Sequence, residues 1–237
     1  MASSGNFCTW NGVQVQGDAQ ALANLTKGNL LATHSGSSYG QMMGNMGVKT
    51  GKWYIEWYIS NAGFPSWLLG WTISNRLTAF TGSNQVGVES LAYVGYFTGS
   101  TIYNSTFGSN DVSQQMTNLS SWTSAGDAPT TGDVVMCCMD FDAGKGWWGQ
   151  NGEWGDVGSG TGNPATGANA SITWTPATYA NDFKTPHMTS YQGAKLLNAG
   201  QDSTFSGAIS AGGNADANGF GDFKYAPPSG FLALCSA

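Results

Sequence analysis

Charged side chains are scarce in this sequence. They make up 9% of its 237 residues, and the only arginine is Arg76. Eight basic residues against fourteen acidic ones leave a formal net charge of -6, so no segment can follow a phosphate backbone through cationic contacts. The composition therefore predicts that nucleic acid is not a partner and that the surface is neutral, rich in Ser, Thr, Asn and Gly.

Residues that bind metals or carry catalysis are also few. The two histidines, His34 and His187, lie far apart in the sequence, and no HExxH motif is present, which argues against a zinc hydrolase. No CxxC spacing occurs among the four cysteines, which are Cys8, Cys137, Cys138 and Cys235. We interpret all four as small buried apolar side chains, and we predict neither a metal site nor a cofactor.

The acidic residues do not form a recognisable catalytic pattern. Asp140 and Asp142 resemble the start of a calcium loop, but Lys145 and Asn151 stand where an EF-hand needs glycine and glutamate. No two glutamates stand near each other in the sequence, so no catalytic pair of glycosidase type is evident, although acids distant in sequence can still meet in space. We expect Asp140 to bind turn amides, and we expect the protein not to be an enzyme.

Long apolar runs are missing too. No stretch reaches the length of a membrane-spanning helix, and the first ten residues, MASSGNFCTW, lack the basic and apolar regions of a secretory signal. The expectation is a chain that is made in the cytoplasm and does not insert into a membrane.

What the sequence has in abundance is aromatic residues arranged with a two-residue period. In GKWYIEWYIS, residues 51–60, the tryptophans and isoleucines alternate with Tyr54, Glu56 and Tyr58, which is the pattern of a strand with two unlike faces. In DVVMCCMDF, residues 133–141, both faces are apolar, which predicts a central strand covered on both sides. Asn151-Gly152 then predicts a hairpin turn, because this pair adopts positive φ angles cheaply.

The whole chain reads as many short strands joined by glycine-rich turns, with almost no helical periodicity. This pattern predicts an all-β sandwich or barrel. No linker divides it, so we predict a single domain over residues 1–237. Two polar segments, about 109–131 and 193–217, are predicted to be long loops of the kind that often carry function.

Four aromatic residues stand in or beside polar loops and are the candidate contacts for a ligand or partner. They are Tyr103, Phe107, Trp122 and Trp154. An aromatic ring in a polar loop can act as a binding platform, but in a chain with ten tryptophans it can equally cover the core.

Four stretches resemble, in order, the successive motifs of a SPRY domain, in the form found in phage-encoded and related microbial proteins. They are GVKTGKWYIEWYI at 47–59, GDVVMCCMDFDAGKGWWGQNGEW at 132–154, GNPATGAN at 162–169 and NGFGDFKYAPPSGFLALC at 218–235. The resemblance implies a concanavalin A-like jelly-roll sandwich of two antiparallel sheets. It also implies that the tryptophan face of residues 51–60 lies between the sheets, while Tyr54 and Tyr58 lie under loops or terminal segments.

The same resemblance implies a binding module without catalysis that grips its partner with loops at one edge of the sandwich. By order along the chain, those loops are 61–66, 109–131, the one after Trp154, and 193–217. The sequence lacks the charged loop residues with which some SPRY domains hold peptides.

We therefore expect a phage virion protein, such as a capsid decoration, fibre or tail-tip component. It would bind other virion proteins, a host-surface receptor or a glycan, and it could form a homo-oligomer. The open alternatives are a glycan-binding lectin, a glycan-cleaving enzyme on the same fold, and a peptide-binding intracellular adaptor.

Overall fold

The computed structural model describes the backbone of residues 5–16, 24–35, 40–63, 67–73, 90–97, 101–106, 114–115, 129–155, 160–190 and 192–236. Side chains are described in these ranges except in 13–16, 90–97, 101–106 and 114–115. Within them the secondary structure is β-strand apart from one short 3-10 helix, Pro176–Tyr179.

Two large sheets form the molecule. Sheet I contains, in spatial order, β13 (Glu153–Trp154), β12 (Lys145–Gln150), β11 (Val134–Asp140), β6 (Lys52–Asn61), β16 (Gly193–Asn198), β4 (Leu31–His34) and β3 (Asn24–Thr26), with β14 (Ile172–Thr173) on β12 and β17 (Leu232–Ala233) on β6. Sheet II contains β10 (Gln114–Gln115), β9 (Thr101–Thr106), β8 (Ser90–Phe97), β7 (Trp67–Ile73), β15 (Lys184–Ser190), β5 (Gly40–Gly44) and β2 (Trp10–Gln16). A small ribbon joins β1 (Asn6–Phe7) to β18 (Cys235–Ser236).

The inner faces of the two sheets form the main core. Ile55, Trp57 and Ile59 of β6 pack in one cluster with Leu69 and Trp71 of β7, and all of these side chains are buried. Every described pairing in the two sheets is antiparallel except that of β17 with β6. The prediction of an all-β, concanavalin A-like sandwich of two antiparallel sheets is thus confirmed.

The outer face of sheet I carries a second core. Tyr54 meets Phe223 edge-on with 5.0 Å between ring centroids, and Tyr58 stacks on Phe205 at 5.5 Å. Phe205, Phe223 and the likewise buried Phe231 all belong to residues 199–236, which we call the C-terminal layer. The prediction that Tyr54 and Tyr58 lie under a terminal segment is confirmed.

Strand β11 is the central strand that its sequence predicts. All seven of its residues are buried, and it pairs with β12 on one side and β6 on the other. Cys137 faces the main core and Cys138 faces the second core. The four cysteines are free thiols; three are buried, and Cys235 is partly exposed.

The loop predicted at 193–217 is shorter than expected. Its first six residues form β16, which is buried throughout and lies between β6 and β4 in sheet I. Gly193 and Asn198 are typical turn residues, but Leu196 packs into the second core and Leu197 into the main core. Burial on both faces therefore overrides the turn propensity of the two ends.

The Asn151-Gly152 hairpin allows a test of backbone conformation. Asn151 has φ +52° and Gly152 has φ +93°, and a Cβ added to Gly152 would lie 3.0 Å from the Tyr225 ring. We expect Gly152→Ala to lower the free energy of unfolding by about 2 kcal/mol, through backbone strain together with this contact.

Gly132→Ala is the matched control. Gly132 has φ +105°, but no atom of the described residues lies within 4 Å of an added Cβ, so strain alone should cost about 1 kcal/mol. Urea denaturation measures both variants. Equal losses would show that the contact with Tyr225 contributes nothing.

Candidate functional site

One end of the sandwich collects several of its connections, and we call it the Asn61 edge. It is built from residues 61–63, 129–133 and 192–193. The Ala62 amide donates to the Thr131 hydroxyl at 3.0 Å, and the Gly132 amide donates to the Ile59 carbonyl at 2.9 Å. These bonds hold the connection after β6 against the one before β11, so two of the predicted binding loops meet here.

The Asn61 edge is packed too tightly for side chains at two positions. A Cβ on Gly63 would lie 2.6 Å from the backbone nitrogen of Gly193, and a Cβ on Gly193 would lie 2.5 Å from the Asn61 carbonyl oxygen. Both glycines also have positive φ angles. The connection after β6 and the turn between β15 and β16 are therefore fixed relative to each other by direct backbone contact.

A buried lysine lies under this edge. Lys195 is 0% exposed, and its Nζ donates to the Ser190 hydroxyl at 3.0 Å and to the Gln192 carbonyl at 3.2 Å. It also lies 5.7 Å from the centroid of the Trp67 ring. Burial lowers the pKa of Lys195 to about 7, because an ammonium ion loses its hydration there.

The other two predicted binding loops lie elsewhere, except that Gly193, the first residue of 193–217, belongs to the Asn61 edge. Residues 160–170 run along β12, where Lys145 Nζ donates to the Gly167 carbonyl and Trp147 Nε1 to the Ala168 carbonyl, each at 2.8 Å. Residues 199–217 belong to the C-terminal layer over the outer face of sheet I. The four loops therefore occupy three different places on the sandwich.

Of the four candidate aromatic residues, Trp154 can be placed in full. It lies in β13, half-buried, and meets Tyr54 edge-on at 6.4 Å between ring centroids. Tyr103 lies in β9, in the part of sheet II whose side chains are not described. Phe107 and Trp122 lie outside the described residues. A ligand-binding role for these four aromatic residues remains a prediction.

Glu56 is a carboxylic acid that is fully buried in the fold. No sequence pattern marked it as a functional site. It is 0% exposed on the outer face of β6. Oε1 accepts bonds from the Tyr54 hydroxyl and the Tyr225 amide, both at 2.8 Å. Oε2 accepts from the Lys224 amide at 2.9 Å and from Asn198 Nδ2 at 3.1 Å.

Desolvation dominates the electrostatics of Glu56. Burial raises the pKa of its carboxyl group to about 7, although the four hydrogen bonds act in the opposite direction. The only sequence signal for this site was a single charge between two tyrosines. Its other three partners come from β16 and the C-terminal layer.

The residues considered for catalysis have structural roles. Asp140 Oδ1 accepts the amides of Asp142 and Ala143 at 3.1 and 2.8 Å, and Oδ2 pairs with Lys52 Nζ at 3.1 Å. This confirms the interpretation of Asp140 as a turn-binding residue. His187 is buried beside Gln41, and burial lowers its pKa to about 4, so the ring is neutral at pH 7.

Residues 36–40 match a sequence motif of catalytic serines, but the secondary structure on its C-terminal side differs from the one that the motif requires. Residues 36–40, GSSYG, match the Gly-x-Ser-x-Gly spacing of a nucleophile elbow, which requires a strand, a sharp turn and then a helix. Here β4 precedes the motif, and β5 begins at its last residue, Gly40. The next described element is therefore a strand, whereas an elbow leads into a helix.

The described part of the chain contains neither a metal-binding cluster nor a membrane-spanning helix. Among those residues, no group of three or more His, Cys, Asp or Glu side chains is placed to hold a metal ion. Nor does any helix there have the length and hydropathy needed to cross a membrane.

The two-sheet topology and the tightly packed Asn61 edge define a β-sandwich that presents connections at its end. Among solved structures, the chain is similar to the PSpry domain of TRIM65, with TM-score 0.52 and 13% identity over 81% of this chain and 88% of that one. It is also similar to the SPRY domain of human HERC1, with TM-score 0.49 and 14% identity over 79% and 96%. No family model and no curated protein matches the sequence. The likeness to TRIM65 shows a SPRY-type fold.

Proposed function

We propose that this chain is a non-enzymatic binding module of a phage virion, in a capsid decoration, fibre or tail-tip role. In this proposal residues 1–237 form one domain, which contacts other virion proteins or a host-surface receptor or glycan. The Asn61 edge is the contact surface, because two of the connections expected to bind a partner meet there and are held by hydrogen bonds. The observation that supports the proposal most is that hydrogen bonds hold two of the predicted binding loops together at the Asn61 edge of a SPRY-type sandwich.

The chemistry of the surface supports the proposal. With 9% charged residues, the protein can attach through packing and neutral hydrogen bonds, which salt screens little. Such contacts suit a particle in saline surroundings. Asp140 and His187 have structural partners, which supports binding rather than catalysis. A homo-oligomer would fit a repeated position on a particle.

Two experiments test the proposal at different levels. Mass spectrometry of purified virions should detect the chain in stoichiometric amounts, and its absence there would refute the virion role.

Binding of the purified protein to virion proteins and to a glycan array should weaken at least tenfold in Thr131→Trp, which places a bulky ring at the Asn61 edge.

Thr178→Trp is the control for the binding experiment. Thr178 is exposed in the 3-10 helix, outside the Asn61 edge, so its replacement should leave binding unchanged. Equal binding by both variants would remove the Asn61 edge as the contact surface. Turnover of any glycan on the panel would favour the enzyme alternative instead.

A further inference from the structure

Glu56 connects two parts of the molecule that are far apart in sequence. Tyr54 lies on the same strand, whereas the amides of Lys224 and Tyr225 belong to the C-terminal layer. Asn198 stands at the junction, because its Nδ2 donates both to Glu56 and to the Asp222 carbonyl, the latter at 3.0 Å. Lifting the layer would break the bonds from Lys224 and Tyr225 and open the carboxyl group to water.

We propose that Glu56 is a pH-sensitive latch between sheet I and the C-terminal layer. The layer closes most tightly over the protonated carboxyl group and opens more readily once Glu56 has lost its proton. Opening would uncover the rings of Tyr54 and Tyr58, which now pack on Phe223 and Phe205.

The direction follows from the two environments of the carboxyl group. In water its pKa is near 4.5, and under the closed layer it is about 7. Between these values closing the layer takes up a proton, so acid favours the closed form and a rise in pH favours opening. The Tyr54 hydroxyl group can form a hydrogen bond with either protonation state of Glu56, because it can donate to the carboxylate and accept from the protonated acid.

Three other titratable groups around Glu56 have raised pKa values. Burial raises the pKa of Tyr54 and of Cys138 from β11 well above their ordinary values, and that of Tyr225 from the layer is also raised, so all three remain protonated. Lys224 faces Glu56 with its amide, while its Nζ donates to Ser210 at 2.9 Å. Asp222 faces the site through its carbonyl. Of Glu56, Tyr54, Cys138 and Tyr225, Glu56 is thus the one that titrates in this range.

Hydrogen exchange of the Lys224 and Tyr225 amides in the intact protein tests the latch. After correction for intrinsic exchange rates, the opening constant of the layer should rise by about 70-fold between pH 5 and pH 8, given the two pKa values. An infrared band of a protonated carboxylic acid should disappear as the pH rises through about 7. An opening constant that stays level or falls over this range would overturn the proposal.

Two variants separate Glu56 from other sources of pH dependence. Glu56→Gln cannot titrate, so its layer should open with no dependence on pH from 5 to 8, and the infrared band should be absent. Tyr54→Phe keeps the ring against Phe223 but removes one donor to the carboxylate, so the rise in opening should begin at the same pH and continue to a higher pH. If Glu56→Gln does not fold, Tyr54→Phe decides, because a rise that ends at the same pH as in the wild-type protein contradicts the latch.

Discussion

Phe223→Ala should lower the free energy of unfolding by about 3 to 5 kcal/mol, the usual cost of removing a fully buried phenylalanine. Phe223 is 0% exposed and packs edge-on against Tyr54, so truncation leaves a cavity between the C-terminal layer and sheet I. A loss of this size would show that the layer folds together with the sandwich.

Phe183→Ala is the matched control, because Phe183 is 47% exposed. Its ring lies 4.7 Å from Lys49 Nζ, measured to the ring centroid, and such an exposed contact contributes less than about 1 kcal/mol. Guanidinium denaturation at constant pH compares the two variants. Similar losses in both would mean that the layer lies outside the cooperative unit.

Lys195→Met should remove a pH dependence of stability that the wild-type protein shows above pH 7. The unfolded lysine holds its proton to about pH 10.5, whereas the folded one loses it near 7. Over that range the unfolded state binds more protons, so the free energy of unfolding rises with pH, by about 2 kcal/mol between pH 7 and pH 8.5. In Lys195→Met this rise should be smaller by that amount.

The sign of the effect has a simple physical origin. No carboxylate is among the described partners of Lys195, so the folded state accommodates its neutral amine better than its ammonium ion. Lys27→Met is the control for the loss of a lysine, because Lys27 is exposed, and it should show the same rise as the wild-type protein. Denaturation curves at several pH values measure the slope, and an unaltered rise in Lys195→Met would show that another group causes it.

Local patterns in the sequence predicted much of the fold. The alternation in residues 51–60 correctly predicted a strand with two unlike faces, and the resemblance to SPRY domains correctly assigned one face of β6 to the main core and the other to a covered outer side. The apolar character of both faces of β11 and the Asn151-Gly152 turn were also predicted correctly, since each depends on neighbours within a few residues.

The features that sequence reasoning missed depend on distant partners. The sequence of β16 opens a long polar segment, which predicts a loop, and only the position of β16 between β6 and β4 shows that it is a buried strand. Likewise, Glu56 became a site only when Asn198, Lys224 and Tyr225 were placed around it. No local pattern indicates that Lys195 is buried, because a lysine is ordinarily exposed.

The pairing of β6 has a consequence for how the protein is made. Its neighbours in sheet I are β11, β16 and, in parallel at Trp53 and Tyr54, β17, all of which follow it along the chain. During translation β6 leaves the ribosome long before any of them, with two aromatic-rich faces and both backbone edges unsatisfied. The nascent chain therefore passes through a prolonged aggregation-sensitive interval, and chaperone demand should fall sharply once residue 233 has emerged.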